Sequence, residues 1–516
     1  MSDSASMSKG KWVAMAVVWL FIFGIGTAAY KYWWAPAEVK QAEEQAEVEH
    51  QAILDATSSN TSYKYTVPFV TDGFSGYSPW RSPEFKAEAG RYSIRLDIKD
   101  DGADYSARIE SIADGTTPMG VFTIDALYKV SSQLNDTPAT IIMLGDETKG
   151  ADAMVANGKK FPNIDSLNSP DLKIVCLADS PSETLARVVM DAFNLDQLPA
   201  NPFEFKDSPK AVYDAYKASK PTDNKVFVLW EPYVSLVLKN PDYRIVVDSS
   251  KFSGYIVDVL VVQRDFLIKN EDVVSNIVKA YLTTVFNSRN KMVDMVVADA
   301  KALGEPLTKE QAEKLVEGIW WKNTQENFAH FGMTAAPGIQ PMEDICRNIS
   351  NVLLKTGAMS KDPTNGRPNL MYYDGIMRKL FDSSWHPGFG KEMVREERTL
   401  AALSDDDRKR LRPVGTLQVP RLVFARGTAR VSAGSLRTLD DLSEKLKTWP
   451  QYYLTVRGNT SSKGDVDANR ALAEQRAKSA SDYLKSKGVH ENRIHIETSD
   501  PNGSSTVAFI LGEMPY

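Results

Sequence analysis

Apolar residues change their spacing along this chain, and each spacing predicts a different kind of element. From Trp12 to Tyr30 the run WVAMAVVWLFIFGIGTAAY contains no charged residue. At about 1.5 Å per residue it reaches roughly 28 Å, which predicts a helix able to cross a bilayer. Aromatic rings flank it, Trp12 and Trp19 on one side and Tyr30, Tyr32, Trp33 and Trp34 on the other, as at headgroup level. The rival is a cleaved secretory signal ending at the small residues Thr27, Ala28 and Ala29. The length of the run, beyond the about 7 to 15 residues of a signal core, favours an anchor. No cysteine follows to make a lipoprotein. Lys9 and Lys11 precede the run, which favours a short tail inside and the rest outside. Ala37 to Asp55 is rich in helix formers and predicts a solvated helical stalk, broken by ATSSNTS at 56–62.

Beyond the stalk the rhythm is that of an α/β protein. Tyr65, Val67 and Phe69 alternate, as do Ile94, Leu96 and Ile98. Short apolar runs follow at 139–145, 173–178, 226–230, 243–247 and 257–262, separated by helix-length segments. Runs of this length predict buried strands of parallel or mixed sheets. Asn270 can cap a helix whose apolar face includes Val273, Ile277, Tyr281 and Leu282. Thr308 to Gln311 is a capping-box pattern opening a helix that runs to Trp320 and Trp321.

Composition narrows the function. The 516 residues carry a formal net charge of -6, which gives no electrostatic case for nucleic acid. Cys176 and Cys346 are far apart and belong to no CxxC pair, and the five histidines are scattered, so no metal site and no cofactor are expected. No GxSxG, HExxH, P-loop or GxGxxG stands in a strand-to-helix setting, so an enzyme is not expected.

Several segments in order, TVPFVTDGFSGYSPW, DGTTPMGVFTIDAL, LGDETKGADAMVA, DLKIVCLADSPSETL and FVLWEPYVSLVLKNPDYRIVVDSS, resemble the periplasmic substrate-binding proteins of the nitrate, sulfonate and taurine ABC-transporter group. The resemblance implies two α/β lobes of periplasmic-binding-protein type II, closing on a small, usually anionic ligand. It implies ligand positions at Thr123 and Asp125, at Thr148, Gly150 and Asp152, at Ser180 and Ser182, and at Trp230 and Glu231. For Ser180 and Ser182 simple helix capping is an equal alternative. Asp152 is weighted toward a structural hydrogen-bonding role, and Trp230 is as easily core.

The charged stretch KEMVREERTLAALSDDDRKRLRP reads as a solvated connector with a helix starting at Ser404. After it, strand and helix patterns alternate as β-α-β-α-β, opening with a strand in RLVFARG. This order resembles the OmpA-like peptidoglycan-binding domain, carried by GNTSSKGDVDANRALAEQRA at 458–477. The resemblance implies wall contacts at Asn459, Thr460, Asn469 and Arg476, with a guanidinium holding a carboxylate of the peptidoglycan stem. Ser461 stands where relatives carry aspartate, Asp465 or Asp467 is the available substitute, and the usual NRR pattern is missing from DPNGSSTVAFILG.

The expected plan is therefore a cytoplasmic tail at 1–10, a transmembrane anchor at 11–34, a stalk and linker at 35–62, a two-lobed domain at 63–394, a connector at 395–417 and an OmpA-like domain at 418–516. The expected function is capture of a small ligand by a single-pass protein of the bacterial inner membrane, its bulk periplasmic and its tail on the cell wall. A transporter permease or another inner-membrane protein would read it. The alternative is a structural tether of flagellar-stator (MotB-type) layout whose lobes serve protein contacts; no acidic residue lies in Trp12 to Tyr30 to carry protons for such a motor.

Overall fold

The computed structural model describes residues 63–514, apart from 135–136, 389–391, 393, 396–399 and 502–505. The expected anchor and stalk lie outside the described residues. Among those described, no helix is long and apolar enough to cross a membrane.

Three sheets organise the described chain. The first contains β1 (Tyr65–Thr71), β2 (Ile94–Asp100), β3 (Met119–Thr123) and β4 (Ala139–Thr148). The second contains β5 (Asp152–Asn157), β6 (Lys173–Leu177), β7 (Phe203–Lys206), β8 (Lys225–Trp230) and β9 (Tyr243–Asp248). The chain then returns to the first sheet with β10 (Val257–Gln263) and β11 (Ile319–Trp321). The strand orders are β11-β4-β10-β3-β1-β2 and β7-β6-β8-β5-β9. Both sheets are mixed, with β1 parallel to β2 and β3, and β10 antiparallel to β3 and β4. Two lobes joined by two crossings, 149–151 and 249–256, are the periplasmic-binding-protein arrangement expected from the sequence.

The crossings are tied to each other. Ser249 Oγ accepts from the amide of Gly150 at 2.8 Å and from that of Asp152 at 3.3 Å, and Thr148 N donates to Ile256 O at 3.0 Å. Gly150 has φ +116°, a conformation a side chain would strain.

The apolar runs become strands for the reason expected: β4 and β10 are buried along nearly their whole length, so neither face needs polar residues. Asn270 does not cap forward. The helix Arg264–Ser288 bends there, at φ -134°, and the Asn270 amide donates back to Phe266 O at 3.1 Å. The capping box forms as expected, Thr308 with Gln311, but its helix ends at Glu317. Trp320 and Trp321 belong instead to β11, which extends the first sheet along β4.

The third sheet contains β12 (Arg412–Thr416), β13 (Tyr453–Gly458), β14 (Ile494–Thr498) and β15 (Val507–Glu513) in the order β12-β15-β13-β14. Helices Ala433–Lys447 and Val466–Ser486 complete the unit. The strand expected in RLVFARG is a single bridge between Phe424 and Val431, because β12 takes the place beside β15.

This unit is docked against the second lobe. Trp449, fully buried, meets Phe193 at 5.3 Å and Phe252 at 5.4 Å between ring centres. Thr416 bonds Asp165 through both its amide (2.6 Å) and its hydroxyl (3.0 Å), and Ser253 N in the second crossing donates to Thr448 O at 2.9 Å. The two lobes and the C-terminal unit thus share one continuous apolar core.

Candidate functional site

The cleft is built from the ends of strands. At one end of the first sheet, residues directly opposite one another form a row: Thr123 on β3, Asp258 on β10, Asp146 on β4 and Trp321 on β11. Asp125 follows Thr123 in the first turn of helix Ile124–Gln133. From the second lobe comes helix Pro181–Ala192, capped by Ser180, whose Oγ accepts from Glu183 N at 3.4 Å, with proline at its first position.

Of the expected ligand residues, Asp125 is met across the lobes by Thr184, a residue not expected, while Ser182 and Asp152 meet within the second lobe. The Thr184 hydroxyl donates to Asp125, and Ser182 Oγ donates to Asp152 Oδ1 at 3.3 Å. Both hydroxyls lie in the first turn of the helix, where the dipole favours negative charge. Lys129 of the first lobe reaches Glu183 at 3.1 Å and also pairs with Asp179. Arg187 pairs with Glu183 at 2.6 Å and donates to Thr356 O at 2.7 Å. The remaining expected residues are placed otherwise. Thr148 and Gly150 serve the crossings through their amides. Trp230 is half-buried opposite Asp152 at the end of β8. Glu231 turns to Ser235, accepting from its hydroxyl at 2.8 Å and its amide at 3.1 Å.

Burial dominates the electrostatics. Asp152 is pushed up to about 7 by desolvation, against the offsetting bond from Ser182. Asp146 is likewise pushed up to about 7 by burial, and burial with the adjacent Asp146 raises Asp258 well above the usual carboxylate range. Like charges directly opposite on neighbouring strands repel, so this pair holds a shared proton. Tyr77 OH donates to Asp258. Burial also raises Asp125.

The acids Asp146 and Asp258, with Tyr77, were not singled out from sequence. A signal existed: Asp258 is the lone charge of the apolar strand VDVLVVQ, and Asp146 with Glu147 follows the apolar run of ATIIMLGDET. A cavity of ≈ 20 Å³, room for about one water, is lined by Glu147, Lys322 and His330, among others, and by none of Asp146, Asp258 and Tyr77. Lys149 and Lys322 hold Glu147 well below its usual range, against the opposing effect of burial.

The second candidate site lies on the C-terminal unit. Gly458 ends β13 against helix Val466–Ser486, where a Cβ would meet Ala473 O at 2.2 Å. Asn459 binds Thr506, its amide to the carbonyl at 2.8 Å and its side chain to the hydroxyl at 2.9 Å. Thr460 is buried and bonds Ser499 through its amide (3.2 Å) and hydroxyl (2.9 Å). The Asn469 amide clasps the loop, donating to Ser461 O at 3.2 Å and Lys463 O at 2.7 Å. Asp465 caps the helix, accepting from Ala468 N at 3.0 Å. Arg476 stacks over Phe424 at 5.0 Å and donates to Thr428 O at 3.1 Å.

Among solved structures, the chain is similar to the periplasmic aliphatic sulphonate binding protein of Escherichia coli (12% identity, TM-score 0.44, covering 66% of this chain and 98% of that one). It is also similar to the periplasmic nitrate-binding protein of Synechocystis PCC 6803 (8% identity, TM-score 0.44, 62% and 88%). The C-terminal segment is 32% identical over 74 residues to the peptidoglycan-associated lipoprotein of Brucella melitensis, covering 14% of this chain and 44% of that protein. It is 34% identical over 74 residues to the same-named protein of Rhizobium meliloti, covering 14% and 42%. The matched segment spans less than half the length of these curated relatives. Residues 423–504 match the OmpA family model, and the C-terminal unit of this chain is therefore an OmpA-family domain.

Proposed function

We propose that this protein is a wall-tethered solute receptor of the bacterial envelope. Its two lobes capture a small ligand, and its OmpA-family domain grips peptidoglycan through the face bearing Asn469 and Arg476. The apolar run at 12–30 anchors it in the inner membrane, and a permease or another membrane protein reads the lobes. The observation that carries this reading is the union of a two-lobed, twice-crossed unit with an OmpA-family domain over one shared core. Anything that binds the native lobes raises their melting temperature by mass action. Thermal-shift measurements against nitrate, sulfonates, bicarbonate and small amines test ligand capture. A shift with one class supports it, and a flat response to all of them contradicts it.

A second reading, a structural tether whose lobes bind another protein, is favoured by the filled cleft. Asp125, Asp152, Ser182 and Thr184 are buried against one another, and Lys129 bridges the lobes.

A further inference from the structure

The expected ligand was an anion, yet the side chains at the cleft that lack an ion-pair partner are carboxyl groups. We propose that the cleft between the lobes takes a small cation, ammonium or a primary amine, held by Asp125 and Asp152 with the Asp146–Asp258 pair behind them. The proposal deepens the solute-capture reading and rests on it.

Four carboxyl groups are nearly inaccessible at 1% (Asp125), 1% (Asp146), 4% (Asp152) and 2% (Asp258), and none makes an ion pair among the described residues. Cations close by are already engaged. Lys129 pairs with Glu183 and Asp179, Lys322 with Glu147, and Arg108 with Asp72 and Asp101. An ionised carboxylate buried without a partner is costly, so each of these acids needs a proton or an incoming cation.

The polar atoms left over point to a donor. Asp125 Oδ1 receives no hydrogen bond from another residue and is fully enclosed, and the oxygens of Asp146 are enclosed with no donor other than the proton shared with Asp258. Asp125 Oδ2 accepts from Thr184. An ammonium group carries three donors and no acceptor, which matches acceptors in excess. An anion would instead add to four acidic groups. The feature that would otherwise favour one, the start of helix Pro181–Ala192, is already taken: its hydroxyls at Ser182 and Thr184 bond Asp152 and Asp125.

The acids also report on occupancy. Burial raises Asp125 and pushes Asp152 up to about 7, which favours their protonated forms when no cation is present. A bound ammonium that ionises them displaces a proton to solvent, and no covalent step is involved.

The test is calorimetry and thermal shift on the full chain near neutral pH, with methylammonium chloride, sodium nitrate and sodium methanesulfonate as probes, and sodium chloride as the ionic-strength control. Methylammonium is expected to raise the melting temperature by several degrees and to release protons, read from the dependence of the heat on buffer ionisation enthalpy. Asp125→Asn and Asp152→Asn, close in shape and neutral, are expected to lose the shift. A shift with nitrate or methanesulfonate but not methylammonium overturns the cation and leaves solute capture standing. No shift with any of the three overturns both. A methylammonium shift that survives in both Asn variants overturns the assignment to these residues.

Discussion

At the scale of single residues, the unusual feature is a set of acids buried without cations. A carboxyl whose folded-state pKa is raised binds more protons folded than unfolded, so its contribution to stability is fully present below the unfolded value and is lost as pH rises through the folded value. For Asp146 and Asp152 that window opens at the ordinary aspartate range and extends to about 7. Burial raises Asp146 most, Glu147 and Asp72 add to that, and the hydrogen bond with Asp258 and the nearby Lys322 oppose it. Glu147 acts in the opposite sense: its stabilisation is lost on acidification. The melting temperature is therefore expected to fall as pH rises from about 5 toward 8, over the window those raised values define. Asp146→Asn, measured by scanning calorimetry across that range, is expected to flatten the slope; a slope as steep as that of the wild type would contradict the protonated pair.

At the scale of elements, close packing sets the predictions. Gly458→Ala drives a methyl into the Ala473 carbonyl, and Ala473 belongs to the helix that carries Asn469 and Arg476. Overpacking of this kind costs about 1 to 3 kcal/mol, and denaturant unfolding is expected to show a loss in that range. Trp449→Ala removes the ring wedged between Phe193 and Phe252 and is expected to cost about 3 to 5 kcal/mol. Because that ring joins the OmpA-family domain to the second lobe, unfolding of the variant is expected to separate into two transitions where the wild type shows one.

How much of this was legible follows from the same packing. Strands buried on both faces, such as β4, β6, β8 and β10, announce themselves as apolar runs, and the C-terminal helices by their stripes of leucine and alanine. β5 was hidden, since DAMVAN begins directly after a crossing and reads as part of a loop. β12 was hidden more deeply: RPVGT contains proline and glycine, poor strand formers, and becomes a strand because β15 offers it an edge. The residues of the cleft could be named from a resemblance, but their company could not. Opposing Asp146 to Asp258 requires the register of β4 on β10, and bringing Thr184 to Asp125 requires the closure of one lobe on the other. Neither is written in local spacing.

At the scale of the whole molecule, the OmpA-family domain is seated on the second crossing as well as on the second lobe. Ser253 bonds Thr448, and Lys251 pairs with Glu513 at 3.3 Å. The 249–256 crossing joins the two lobes, so the OmpA-family domain is packed directly against a segment that connects them. The central claim is that this domain grips the wall despite Ser461, using Arg476 for a stem carboxylate. The most direct measurement is sedimentation of the full chain with purified peptidoglycan sacculi, beside Arg476→Ala. The account predicts that the wild type pellets with the sacculi and that the variant stays in the supernatant with its fold intact. A wild type that stays in solution, or a variant that pellets equally well, would contradict it.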